Sequence, residues 1–206
     1  MSSLDEILGD LSRGVNALSA RAASAVFASS AGALLPAYRA WAGTDDSDER
    51  RARLGALQRA IDVGFELAQT GQSQADLPKI LRSLESITPH LRLTTPSATA
   101  AQDCVVCADL AIRLHVEEGF ACGPVIEYAL EPVLLSAMHR IGPAGARGPD
   151  GDAMDVADAL LADPAVMGAV EFLWFAIMRL HTHAEPARST IEEIRTRAAV
   201  LLPASP

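Results

Sequence analysis

A chain of 206 residues with 50% hydrophobic and 21% charged side chains carries enough apolar material for one sizeable core and too little for two ordinary domains. Its formal net charge of -9 and pI of about 5.0 repel phosphate backbones and anionic lipid headgroups, which argues against direct nucleic-acid or membrane-surface binding. Aromatic residues are only 4% while Ala and Leu recur throughout, a composition suited to helix-on-helix packing and poorly suited to a sheet.

Taken in chain order, Ser3 and Glu6 form a capping-box pair ahead of Leu4, Ile7, Leu8 and Leu11 at helical spacing. The acidic stretch from Met1 to Asp10 stands where a secretory leader would be basic. A second helix is predicted from about Ser19 to Trp41, with Val26, Phe27, Ala33, Leu34, Ala37, Tyr38 and Trp41 on one stripe and Pro36 expected to bend or restart it. Within it, the uncharged run from Ala22 to Tyr38 is interrupted by Gly32 and Pro36 and falls short of the ~20 strongly apolar residues of a membrane span. No transmembrane segment is expected.

The acidic run Asp45, Asp46, Asp48 and Glu49 suits a helix N-terminus, and Leu54, Leu57, Ile61, Phe65 and Ala68 follow at steps of three and four. Gly71 closes that helix; Asp76 and Pro78 open another, with Leu77, Ile80, Leu81, Leu84 and Ile87 on its buried face. Pro89 to Ser97 reads as a loop. From about Ala98 to Glu118, Cys104, Cys107, Ala108 and Ala111 share one face, while Asp109, Arg113 and Glu117 make consecutive i,i+4 pairs on another. Gly119 ends it. Gly123 and Pro124 start the next helix, bearing Ile126, Ala129, Val133, Leu134, Ala137 and Met138, and Pro132 predicts a kink or break near Glu131.

Gly142 to Gly151 has the composition of a flexible joint. A short helix from Asp152 to Leu161 follows. Pro164 then opens the most hydrophobic helix, in which Val166, Val170, Phe172, Leu173, Trp174, Ile177, Met178 and Leu180 cover nearly the whole circumference, so it is expected to be the central one. Ser189 and Glu192 suggest a second capping box for a last helix to about Leu202. No strand-like alternation of useful length and no fixed-period repeat occurs. The fold expected is all-α: a single-domain bundle, residues 1–206, of about eight or nine helices around a central hydrophobic one, with a possible joint at 142–151.

Several residues could carry chemistry. The spacing of Cys104 and Cys107 is that of redox dithiols and of half a zinc site, but both thiols lie on an apolar stripe and no second ligand pair accompanies them, so they read as core cysteines. Three cysteines, Cys104, Cys107 and Cys122, are an odd number suited to a reducing cytoplasm. His181 and His183, with Glu185 beyond, converge on a metal only if the chain has left the helix, and a C-terminal cap accounts for them more simply. The aspartates around Asp45 and those at Asp150, Asp152, Asp155 and Asp158 lack the second cluster or the ordered loop that magnesium or calcium sites need. No cofactor or metal is expected. Glu127 and Glu131, at i,i+4 beside Pro132, repel one another on an apolar helix and call for a basic partner, internal or external. With no Ser/His/Asp order, phosphate-cradling loop or nucleophile elbow, the chain reads as a non-enzyme.

The stretch Ser30-Ala-Gly-Ala-Leu-Leu-Pro-Ala-Tyr-Arg-Ala-Trp41, followed by Leu57, Ala60, Ile61 and Asp62, resembles the N-terminal part of the uncharacterised bacterial family typified by YjaG. That resemblance covers about the first third of the chain and implies an all-α fold without an assigned activity. The segment from Ala101 to Pro132 is similar in style to small acidic helical immunity proteins of bacterial polymorphic toxin systems. This implies a protein that neutralises a basic toxin, with complementary charge speeding encounter. The expected partner surface comprises Asp45, Asp46, Asp48, Glu49, Glu117, Glu118, Glu127, Glu131, Asp150 and Asp152. The alternatives are a metal- or small-molecule-binding protein using His181, His183, Cys104 or Cys107, and a housekeeping homo-oligomer.

Overall fold

Each early helix begins where a short oxygen-bearing side chain can satisfy the amides that the first turn leaves unpaired. In the computed structural model, which describes residues 3–43, 47–89, 96–117, 119–120, 126–141, 146–147, 153–181 and 185–201, helix α1 spans Leu4–Asn16 behind the capping box. The Ser3 hydroxyl accepts from the Glu6 amide at 3.2 Å and the Glu6 carboxylate accepts from the Ser3 amide at 2.9 Å. Helix α2 (Ala20–Trp41) is capped by Ser19, α3 (Asp48–Thr70) by Ser47, and α4 (Leu77–Ile87) by Asp76. Helix α3 ends at Gly71, whose φ of 74° lies in the left-handed region that a residue without Cβ enters at little cost. Then come α5 (Pro96–Arg113), α6 (Glu127–Ile141), α7 (Val156–Ala162), α8 (Pro164–His181) and α9 (Arg188–Leu201). The fold is an all-α bundle with one contiguous core.

The helix at its centre is α2, not the strongly apolar α8 that the sequence favours. Fifteen of the 22 residues of α2 are buried, against eight of 18 in α8. The reason is size. The Ala and Ser side chains of α2 are short enough for neighbouring backbones to close in on several sides, so a mildly apolar helix is enclosed. Helix α5 runs antiparallel along it: the Ser24 hydroxyl donates to the Ala111 carbonyl at 2.8 Å, and the Cys104 thiol donates to the Ala31 carbonyl at 3.2 Å. Helix α3 closes the third side at Gly64, where a Cβ would stand 3.0 Å from the Ala111 Cβ and 3.2 Å from that of Ala28. By contrast, α8 buries Phe172, Leu173, Ala176 and Ile177 but leaves Trp174 and Phe175 half-buried and Met178 67% exposed.

Pro36 does not interrupt α2. A proline ring crowds the carbonyl four residues back, which here belongs to Gly32, and a Cβ at Gly32 would meet nothing within 4 Å. Pro132 likewise lies inside a continuous α6 that begins at Glu127. It falls in the second turn, so only the first helical turn has to accommodate the missing hydrogen bond. The expected capping box at Ser189 does not form, because α9 begins at Arg188 and Ser189 already lies within its first turn.

Arg21 and Asp163 also tie separate helices together. Arg21 of α2 reaches the C-terminal carbonyls of α3, donating from Nε to Ala68 at 3.3 Å and from Nη2 to Gln69. Asp163 accepts from the Ala165 and Val166 amides at the head of α8, at 2.9 and 3.4 Å, and from Arg140 of α6 at 2.7 Å. Between α6 and α7 an antiparallel pair joins β1 (Ala146–Arg147), within the expected joint, to β2 (Ala153–Met154) beyond it, so the helix expected from Asp152 begins only at Val156. The rest of residues 142–151 lies outside the described residues.

Candidate functional site

Of the acidic residues expected to form a partner surface, three among the described residues, Asp48, Glu49 and Glu117, pair with arginines of the same chain. Asp48 and Glu49 sit in the first turn of α3 and pair with Arg51 and Arg53 of the same helix. Glu117 pairs with Arg113 at 2.6 Å, and Arg113 also holds Asp109 at 2.7 Å, so one guanidinium offsets one of the two carboxylate charges of this stripe. Glu131 is half-buried on α6. Glu127 opens α6, and Asp45, Asp46, Glu118, Asp150 and Asp152 lie outside the described residues.

What Glu131 faces is a second acid that sequence reasoning missed. Asp103, on α5, is only 1% exposed, and its Oδ2 has no hydrogen-bond partner among the described residues. Burial, and then the charge of Glu131, push its carboxyl up to about 8. Asp103 is therefore mainly protonated at neutral pH, since its carboxylate would lose its hydration by burial and be repelled by the nearby Glu131 charge. The signal was present in sequence, as one charged residue beside the apolar face of Cys104 and Cys107. Helical spacing alone did not tell whether it pointed to solvent or to α6.

Burial also raises the thiols of Cys104 and Cys107, with the Asp103 charge adding to it. Both are fully buried free thiols. A thiol so disinclined to ionise is a poor nucleophile and metal ligand, which agrees with reading the pair as core residues.

The Ser24 hydroxyl is 2.9 Å from Nε2 of His115, the distance of a nucleophile and its general base. The protons run the other way. Ser24 spends its only proton on the Ala111 carbonyl, so His115 must donate from Nε2, and Ser24 is 0% exposed. The pair joins α2 to the end of α5. Burial, followed by the Arg21 charge, lowers the His115 pKa. His181 is exposed at the end of α8, and His183 lies outside the described residues. Among the described residues no three His, Cys, Asp or Glu side chains converge as a metal site would require.

The widest of the described clefts lies along α8 and α9. These helices run antiparallel, with Arg179 bridging to Glu193 at 2.6 Å and the Arg197 guanidinium 4.0 Å from the centre of the Phe175 ring. Beside those rungs is an open groove of about 600 Å³, lined by Glu171 of α8 and by Glu192, Glu193, Thr196, Arg197 and Val200 of α9. The cleft between α3 and α4, at Arg59, Asp76 and Lys79, measures about 270 Å³. Among the described residues no single helix is long and apolar enough to cross a membrane. Compared with known proteins, the chain matches no family model, no curated protein and no solved structure.

Proposed function

We propose that this chain is a non-enzymatic protein-binding module that engages a basic partner, in the manner of an immunity protein neutralising a cognate toxin. The observation that supports the reading is how the charge is distributed. Seven arginines, Arg13, Arg21, Arg51, Arg53, Arg113, Arg140 and Arg179, are already committed to carboxylates of the same chain. The excess behind the net charge of -9 is thus left on solvent-facing acids such as Glu85, Asp158, Glu171 and Glu192. Such a field accelerates encounter with a basic protein and disfavours acidic ones.

The test is titration calorimetry of the chain against a basic protein encoded beside its gene, at low and at physiological salt. A complex whose affinity falls with added salt is expected. Failure to form one, or an affinity indifferent to salt, refutes the reading.

A further inference from the structure

The α8–α9 hairpin carries the two most exposed large apolar side chains among the described residues, Val200 at 72% and Met178 at 67%. At about 100° per residue, Glu171, Phe175 and Met178 share one face of α8, and Ser189, Glu193, Thr196 and Val200 share one face of α9. The rungs Arg179 with Glu193 and Phe175 with Arg197 set the antiparallel register. That register puts Glu171 beside the last turn of α9, while Glu192 stands roughly 12 Å away near its first turns. Between these ends the wall carries uncharged Thr196 and Val200 and two charged residues, Glu193 and Arg197, of which Arg197 is engaged over Phe175. Glu193 is likewise engaged by Arg179, so Glu171 and Glu192 are the groove acids without an ion-pair partner among the described residues.

We propose that this groove is the docking site for an amphipathic helix of the basic partner, with two cationic side chains about two turns apart reaching Glu171 and Glu192 and an apolar stripe covering Val200. The inference rests on the reading of the chain as an acidic binding module and places its contact surface. A helix fits because the furrow between two antiparallel helices accepts the side-chain ridge of a third, and because a helix brings its backbone hydrogen bonds with it. An extended strand would find only side chains to pair with. A second copy of this chain is a poor occupant, since it would bring four glutamates together on molecules that each carry -9.

The test uses the full chain and a fluorescently labelled alanine–leucine helix bearing two arginines two turns apart, followed by anisotropy. Binding is expected, and about tenfold weaker binding to the double variant Glu171→Gln/Glu192→Gln and to Val200→Asp. Glu85→Gln on α4 is expected to bind as the parent does. All these positions are exposed, and an unchanged urea midpoint confirms that each variant folds. The groove is ruled out as the site if the peptide does not bind, if the groove variants bind it unchanged, or if sedimentation shows a dimer that Val200→Asp dissolves. Should the peptide fail while the basic neighbour still binds with salt sensitivity, only the groove is lost. If both fail, the binding reading goes with it.

Discussion

Asp103 combines almost complete burial, an oxygen with no hydrogen-bond partner among the described residues and a neighbouring acid, a combination that costs stability. Its pKa rises from 3.8 in an ordinary setting to about 8 in the fold. Below 3.8 both folded and unfolded chains hold the proton and the penalty vanishes. Between 3.8 and 8 the unfolded chain ionises while the folded one does not, so stability declines as pH rises through that window. Replacing Asp103→Asn removes the ionisable group and is expected to stabilise the protein by about 2 kcal/mol at pH 7, with the gain fading toward pH 4. Urea midpoints measured across that range check it. His115 acts in the opposite direction. With its folded pKa lowered by burial and Arg21, stability declines as pH falls below about 6.5, where the unfolded histidine takes up a proton and the folded one resists. In the Asp103→Asn background this loss below about pH 6.5 is no longer offset by Asp103, and His115→Gln should reduce it.

At the scale of helices, contact distance decides what each position tolerates. The approach of α3 to α2 and α5 at Gly64 leaves no room for a branched side chain, because the atoms a Cβ would meet are themselves Cβ atoms of Ala28 and Ala111, fixed to helical backbone. Gly64→Val is expected to cost about 1–3 kcal/mol by overpacking, despite removing a glycine from a helix interior. Gly55 of α3, where a Cβ would meet nothing within 4 Å, is the control: Gly55→Ala should stabilise by about 0.5–1 kcal/mol. Thermal unfolding of the two variants tests the contrast. Asp163 joins α6 to the head of α8, so Asp163→Ala forfeits the cap and the Arg140 pair together and is expected to cost about 1–2 kcal/mol. Burial works to raise its carboxyl, yet the Arg140 bond and the two amides hold it below the ordinary value. Its contribution is therefore present at neutral pH and lost as pH falls through the acid range.

Across the whole molecule, charge and shape act on each other. A chain carrying -9 repels itself, and its mostly exposed short-range ion pairs return little. Raising salt from roughly 0.01 M to 0.1 M, which shortens the screening length from about 30 Å to about 10 Å, is expected to raise the melting temperature by a few degrees. A fall would mean that the ion pairs outweigh the repulsion.

The helical class, the caps at Ser3 and Asp76 and the stop at Gly71 were legible in the sequence because each depends on residues a few positions apart. Even the CxxC reading as core followed from the stripe it shares with Ala108 and Ala111. The centre of the bundle was not legible: hydropathy singles out α8, whereas enclosure depends on how closely backbones approach, and the small residues of α2 permit that closeness without signalling it. The candidate site was only half legible. Acidic runs are visible in any sequence, and a pair one turn apart such as Asp48 with Arg51 follows from local spacing, but that Glu171 is left facing a groove depends on tertiary neighbours. Local spacing determined where helices start, stop and turn their apolar faces; only the tertiary structure decided which helix is enclosed, which acid is buried and which charges remain for a partner, because those outcomes rest on contacts between residues far apart in the chain.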